Sequence, residues 1–428
     1  MLSIQLLREH PDIVLAAMAR RHTDTPIQEI LALDEDRRTV LHEVEALRAH
    51  RNEVSKKLGR TREQFPADFE TLRAEMRQVG DRIKELETTV AQHEEQLNEL
   101  LLQLPNILDP SVPEGAGEDD NLVARTEGAP RSFDFTPLPH WELGERLGII
   151  DFERGVKLAG SRFYILKGLG ARLQRALITW MLDFHIARGY TEIYPPALVK
   201  GEVMQGAGQL PKFFDNLYRD AEEDLYLIPT AEVPMTNLYR DEILSAEALP
   251  IYHVAYTPCF RREKVSAGRD VRGIKRVHQF DKVEMYKFVV PETSNDELER
   301  MLADAEELCR LLKIPHRVIQ ICTGDLGFSA AKTYDIELWA PGCGEWLEVS
   351  SVSNCTDFQA RRANVRFRPE PSARPQFPHT LNGSGLALPR TMIAILENCQ
   401  QPDGTVTIPP VLLPYMGGTA IIGKAASA

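Results

Sequence analysis

Apolar residues between positions 30 and 100 fall at alternating spacings of three and four. The first run is Ile30, Leu33, Val40, Val44, Leu47, Val54 and Leu58, with Arg37 and Arg51 on the same seam. The second is Phe69, Leu72, Met76, Val79, Ile83, Leu86, Val90, His93, Leu97 and Leu100. Such spacing draws one stripe along an α-helix. Two matched stripes, separated by a break holding Gly59 and Pro66, predict an antiparallel helical hairpin over about 27–102. Each helix would run roughly 45 Å at about 1.5 Å per residue. Residues 1–25 read as a short helical lead-in, with Pro11 suited to a helix start.

Beyond Leu104 the pattern changes. Residues 104–139 are dominated by proline, glycine and acids, which predicts a linker rather than core. The expected domains are therefore 1–105, a linker over 106–140, and 141–428. In the last, Leu173, Leu177, Trp180, Met181 and Phe184 mark one face of a helix over Leu169–Ile186, ended by Gly189. Short strands follow at Tyr190–Tyr194, before Pro195-Pro196, and at Leu225–Pro229. Strands then flank a basic loop between Thr257 and Phe288. A helix is expected over Ser294–Leu312, and paired strands at Lys332–Leu338 and Glu345–Ser353. Asn382–Gly385 reads as a tight turn before a helix from about Pro389, and the tail as an extended strand. Antiparallel strands with helices between them, behind a helical hairpin, make an α+β chain.

Composition narrows the class. At 428 residues and 43% apolar content the chain can bury one large core plus an appendage. No run of 18 apolar residues occurs, and the first 21 residues are amphipathic and of mixed charge, unlike a signal peptide. A cytoplasmic protein without a membrane segment is expected. The six cysteines are scattered without a CxxC pair, which argues against a zinc or disulfide framework. A net charge of −13 argues against non-specific nucleic-acid binding by the whole surface, though not by a local patch. The hairpin tip supplies one, with Arg48, Arg51, Lys56, Lys57, Arg60 and Arg62. On these residues alone a spacer or dimerising coiled coil and an arm that meets a phosphate backbone are both open.

The candidate chemistry concentrates in 257–288. Arg261 and Glu263 should share one face of the first strand, and Phe280, Lys282 and Glu284 one face of the second. Cations, a ring and carboxylates on one surface suit a nucleotide: charge for phosphate, stacking for a base, a carboxylate for an amino group. Glu348 and Ser351 offer oxygen donors of the kind Mg²⁺ takes, or merely a polar strand end. Thr230-Ala231-Glu232 alone is a weak signal that a helix cap with a first-turn acid would account for. Arg390 falls in the first turn of a helix, where the dipole disfavours a cation; phosphate contact would explain it.

Taken together, these stretches resemble the class II aminoacyl-tRNA synthetases, and within them the bacterial-type seryl-tRNA synthetase family. The helix running into GYTEIYPP is similar to the class's first motif, CFRRE through HQFDKVEMYKF to its second, and GLALPRTMIAILE to its third. TAE at 230–232, EVSS at 348–351 and TLNGS at 380–384 resemble serine and ATP motifs of the family. Proline at 389 departs from the glycine often found there. The resemblance spans essentially the whole chain. It implies a class II antiparallel sheet flanked by helices, a homodimer built on the first motif, and an arm that grips the long variable arm of serine tRNA.

The resemblance also implies roles. Arg261 and Arg390 would be the catalytic arginines, on the α- and γ-phosphates of ATP. Arg262, Glu263, Phe280, Glu348, Val349, Ser350 and Ser351 would complete the ATP site, with Mg²⁺ on Glu348 and Ser351. L-Serine would meet Thr230, Ala231, Glu232, Arg261, Glu284, Thr380, Asn382 and Ser384. Whether selenocysteine tRNA is a second acceptor stays open. Relatives that load a carrier protein lack the arm, and a scaffold on an inactive fold would have lost Arg261, Glu284, Glu348 or Arg390.

Overall fold

A computed structural model describes residues 1–61, 66–264 and 272–423; the side chains of 57–61 and 66–68 are not described. Two compact units emerge: residues 2–19 with 23–105, and residues 1 and 20–22 with 106–428.

The helical unit holds α1 (Ile4–Glu9), most of α2 (Pro11–Arg20), α3 (Ile27–Thr61) and α4 (Pro66–Leu102). At 35 and 37 residues the long pair exceeds the length expected from periodicity. Gly59 does not break the pattern: it lies inside α3, where one glycine costs only about 1 kcal/mol. Pro66 opens α4, where its missing N–H costs no intrahelical bond. The seam buries Val44, Ile83 and Leu86, flanked by Val40, Leu47 and Val79. Ion pairs cross it between Arg48 and Glu87 (2.7 Å), Arg82 and Glu43 (3.1 Å), and Arg37 and Glu94 (3.3 Å).

The second unit is built on an eight-stranded sheet. Its strands are β1 (Leu122–Glu127), β2 (Thr191–Glu192), β3 (Ile251–Phe260), β4 (Gln279–Val289), β5 (His316–Gln320), β6 (Lys332–Ala340), β7 (Glu345–Asn354) and β8 (His379–Ala387). They lie in the order β1-β5-β6-β7-β8-β4-β3-β2. Every pair is antiparallel except the short β2–β3 contact at the edge. Helices α5 (Leu169–Ile186), α6 (Ser294–Leu312) and α7 (Leu388–Asn398) share the main apolar core with one set of strand positions, among them Val254, Val283, Met285, Ile336 and Leu381. The alternate positions of β4, from Phe280 through Lys282 and Glu284, point the other way. Among the described residues no helix is long and apolar enough to cross a membrane.

Four expectations are corrected. The predicted linker contains β1, an edge strand whose six residues are all exposed, so it carries no alternation of apolar and polar positions to betray it. Arg261 and Glu263 are not on a strand: β3 ends at Phe260, and Glu263 has a left-handed backbone with φ 51°. Asn382–Gly385 is not a turn but the middle of β8, between β7 and β4. Its glycines serve close packing instead. A Cβ on Gly383 would sit 3.0 Å from Met301 Sδ, and one on Gly385 would sit 2.4 Å from His185 Nε2. The tail also differs, with Val406–Thr407 pairing Ile421–Ile422 in a separate small ribbon.

Candidate active site

The face of the sheet away from α5, α6 and α7 opens into a cleft of about 580 Å³. Parity explains who lines it. Phe280, Lys282 and Glu284 come from alternate positions of β4, and Asn382 and Ser384 from alternate positions of β8. Glu348 and Ser351 are three apart, so a regular strand would send them to opposite faces. A bulge resolves this: Glu348 pairs Glu337 while Ser350 pairs Ile336, leaving Val349 as the extra residue. Glu348 and Ser351 thereby reach the same side.

One group of side chains is cationic and aromatic. The Arg261 guanidinium lies 5.0 Å from the centroid of the Phe280 ring, and its Nε donates to the Pro229 carbonyl at 3.3 Å. Helix α7 starts at Leu388 with Pro389 in its first turn, and Arg390 donates to the Glu348 carbonyl (2.8 Å) and carboxylate (3.2 Å). Desolvation within the cleft works to raise the Glu348 pKa, but Arg390 and then Arg261 hold the carboxyl below its ordinary value. Asp335 stands opposite Ser351 on β6. Burial, then the Glu348 charge, pushes its carboxyl well above the usual range, and its Oδ1 is buried without a hydrogen-bond partner.

The second group is carboxylate-rich. The Lys282 ammonium lies 2.5 Å from Glu284 Oε2 and donates to Thr230 Oγ1 at 2.8 Å. The Lys282–Glu284 pair is poorly aligned for hydrogen bonding, so that Oε2 lacks an aligned donor. Glu232 accepts from Gln359 at 2.5 Å and Asn382 at 3.3 Å. Burial, with the Glu284 charge behind it, pushes the Glu232 carboxyl up to about 7. Thr230 also accepts the Glu232 N–H at 3.3 Å, so the Thr-x-Glu stretch is both a helix start and a cleft edge.

Not every expected residue lines the cleft. Arg261, Glu263, Phe280, Glu348, Val349, Ser351, Arg390, Thr230, Glu232, Glu284, Asn382 and Ser384 do. Arg262 is exposed outside it and Ala231 is buried behind it. Ser350 ties β7 to β8 by donating to the Ser384 carbonyl at 2.6 Å. Thr380 is also buried and donates to Gln359, which in turn holds Glu232. Lys275 and Arg276, cations of the basic loop read from the sequence, line the cleft as well. Gln359 and Asp335 escaped the sequence reading; only Asp335, in a strand facing Ser351, carried a local signal in its alternation. At the hairpin tip, Arg51 and Lys56 are exposed, and Arg48 is half-exposed and paired to Glu87. Lys57 and Arg60 lie in α3 with side chains outside the described set, and Arg62 lies outside the described residues.

An antiparallel sheet backed by helices, with an arginine just past one strand, another opening the last helix and carboxylates between, defines the class II aminoacyl-tRNA synthetase core. The family model for the tRNA synthetase class II core domain (G, H, P, S and T) matches residues 214–399, and that for the seryl-tRNA synthetase N-terminal domain matches 1–108. The serine–tRNA ligase of Roseiflexus sp. (strain RS-1) is 64% identical over 425 residues, covering 99% of this chain and 100% of the relative. The chain belongs to the seryl-tRNA synthetase family. Among solved structures, seryl-tRNA synthetase from Pyrococcus horikoshii complexed with ATP aligns over 100% of both chains at 42% identity and TM-score 0.93. The cytoplasmic serine–tRNA ligase of Naegleria fowleri, in complex with AMP, covers 100% of this chain and 99% of its own at 34% identity and TM-score 0.88.

Proposed function

We propose that this chain activates L-serine with ATP as seryl-adenylate and passes the seryl group to the 3′ end of serine tRNA. The observation that carries the reading is the meeting, in one cleft, of a phosphate-binding set on Arg261 and Arg390 with an ammonium-binding set on Glu232 and Glu284. ATP and an amino acid would be held together there, which is what adenylate formation requires.

Arg261 takes the α-phosphate and Arg390 the γ-phosphate, exchanging its hold on Glu348 for the ligand. Phe280 stacks the adenine and Glu263 accepts from its amino group. The serine carboxylate attacks the α-phosphorus in line, and pyrophosphate leaves. The terminal ribose hydroxyl of the tRNA then attacks the seryl carbonyl, and AMP leaves. No side chain forms a covalent bond to substrate; positioning and neutralisation of developing charge carry both steps. Glu348 and Ser351 fit a divalent cation, since their donors are all oxygen and a buried Asp335 oxygen beside them lacks a partner. Bound there, Mg²⁺ would neutralise phosphate oxygens.

Serine is selected by the polar pocket. Glu284 and Glu232 hold its ammonium, and Thr230, Ser384 and Asn382 line the space for its hydroxyl, with Thr380 set behind them through Gln359. A site that bonds a buried hydroxyl rejects alanine because its own groups would be left unpaired. The arm tip meets the long variable arm of the tRNA through Arg48, Arg51 and Lys56. The reading further includes a cytoplasmic homodimer meeting at α5 and 190–196, where Tyr194 is 91% exposed.

The test is serine-dependent pyrophosphate exchange followed by charging of total bacterial tRNA with labelled serine. Both activities are expected with serine and neither with alanine. Exchange without charging would move the chain to the carrier-loading relatives, and no exchange with any amino acid would overturn the reading.

A further inference from the structure

Outside the cleft, a buried cluster joins three segments distant in sequence. Glu397, in the last turn of α7, accepts at Oε1 from the His140 N–H (2.9 Å), His140 Nδ1 (2.8 Å) and Cys343 Sγ (3.1 Å). Its Oε2 accepts from the N–H groups of Gly342 (2.9 Å) and Cys343 (3.0 Å). Burial opposes ionisation, yet these donors hold the Glu397 carboxyl below its ordinary value. The trio has the composition of a metal site, but a carboxylate so fully bonded has no lone pair to spare, so an ion is not the explanation.

The far side of the imidazole is more informative. His140 Nε2 accepts the N–H of Ile274 at 3.1 Å. With Nε2 accepting, the ring proton sits on Nδ1 and is donated to Glu397; the two bonds fix one tautomer. Gly273 packs directly on the ring: it has φ 74°, and a Cβ there would meet His140 Nε2 at 2.0 Å. Ile274 immediately precedes Lys275 and Arg276, which line the cleft. The same helix reaches this segment from its other end, since Arg390 Nε donates to the Lys275 carbonyl at 3.3 Å.

We propose that His140 is a positioning residue for nucleotide binding. It transmits the placement of α7, through Glu397, to the returning leg of the basic loop, so that Lys275 and Arg276 are set in register with Arg390. The inference rests on the functional reading above for its substrate, ATP.

Two amides separate this role from mere core filling. His140→Gln can place an acceptor where Nε2 stands, whereas His140→Asn can keep the donor to Glu397 but loses the acceptor. Hydrogen exchange at the Ile274 amide should rise about tenfold or more in His140→Asn and change little in His140→Gln. In parallel, KM for ATP in pyrophosphate exchange should rise about tenfold in His140→Asn, with KM for serine within about twofold of the unmodified chain. Equal Ile274 exchange in the two variants, or an unchanged KM for ATP in His140→Asn, would overturn the proposal. If the unmodified chain failed to activate serine, the functional reading would fall, and amide exchange alone would still decide whether His140 pins the loop.

Discussion

The helical hairpin and the sheet cleft were written in different codes. In the hairpin, shape is local: a seam of residues such as Val44, Ile83 and Leu86 repeats within each turn, so the helices can be drawn before any contact is known. Its chemistry is diffuse, spread over exposed cations at the tip. In the cleft the reverse holds. Chemistry is concentrated in single side chains, and their placement depends on pairing between strands far apart in sequence. The lesson is that periodicity reports form and composition reports reactivity, and neither substitutes for the other.

That contrast can be broken by substitution. The sharpest blow falls on the cleft. Arg261→Ala should lower the rate of serine-dependent pyrophosphate exchange by about 10²–10³, roughly 3–4 kcal/mol of transition-state stabilisation, without lowering the melting temperature. Retained activity would mean the phosphate is held elsewhere. The hairpin counterpart is Ile83→Ala, which should cost about 2–4 kcal/mol of local stability by opening the seam. Circular dichroism should show the loss at lower temperature than the main transition, while exchange of pyrophosphate continues at the original rate.

Third comes the tip, where function needs several residues at once. Arg51→Glu with Lys56→Glu should reduce tRNA charging about 10–100-fold at physiological salt and lessen the salt slope by about 2. Pyrophosphate exchange should be unaffected; if it falls equally, the tip is not a tRNA contact alone. The smallest effect is a pH dependence. Glu232 titrates near 7 in the folded chain against an ordinary 4.5, so the folded state binds the extra proton. Its stabilising contribution is full below about 4.5 and is lost as pH rises through 7. Glu232→Gln should flatten that decline in melting temperature, and should also remove the fall in KM for serine expected as ionisation proceeds.

How legible the molecule was follows the same division. Helices α3 to α6 were readable because each buries one stripe. The edge strand β1 was not, because none of its residues is buried. Arg261, Phe280, Glu284, Glu348 and Arg390 could be singled out by type and position. That Arg261 lies past the end of its strand, or that Asn382 sits mid-strand rather than in a turn, depended on partners the local sequence does not specify. Gln359 and His140 were silent for the same reason. Each acts through hydrogen bonds that reach residues more than a hundred positions away.

The extra residue at Val349 has a consequence for how such chains can change. Because it is a surplus against β6, the side on which Glu348 stands is set by counting rather than by identity. Deleting Val349 would restore a regular ladder with Glu348 two positions from Ser351, still on the cleft side, whereas flattening the bulge with every residue kept would send the two to opposite faces. What the stretch has to keep is the parity of that spacing, either as a bulge with its extra residue or as a regular strand one residue shorter. Loss of the surplus residue is therefore the one change of length here that need not move the carboxylate out of the cleft.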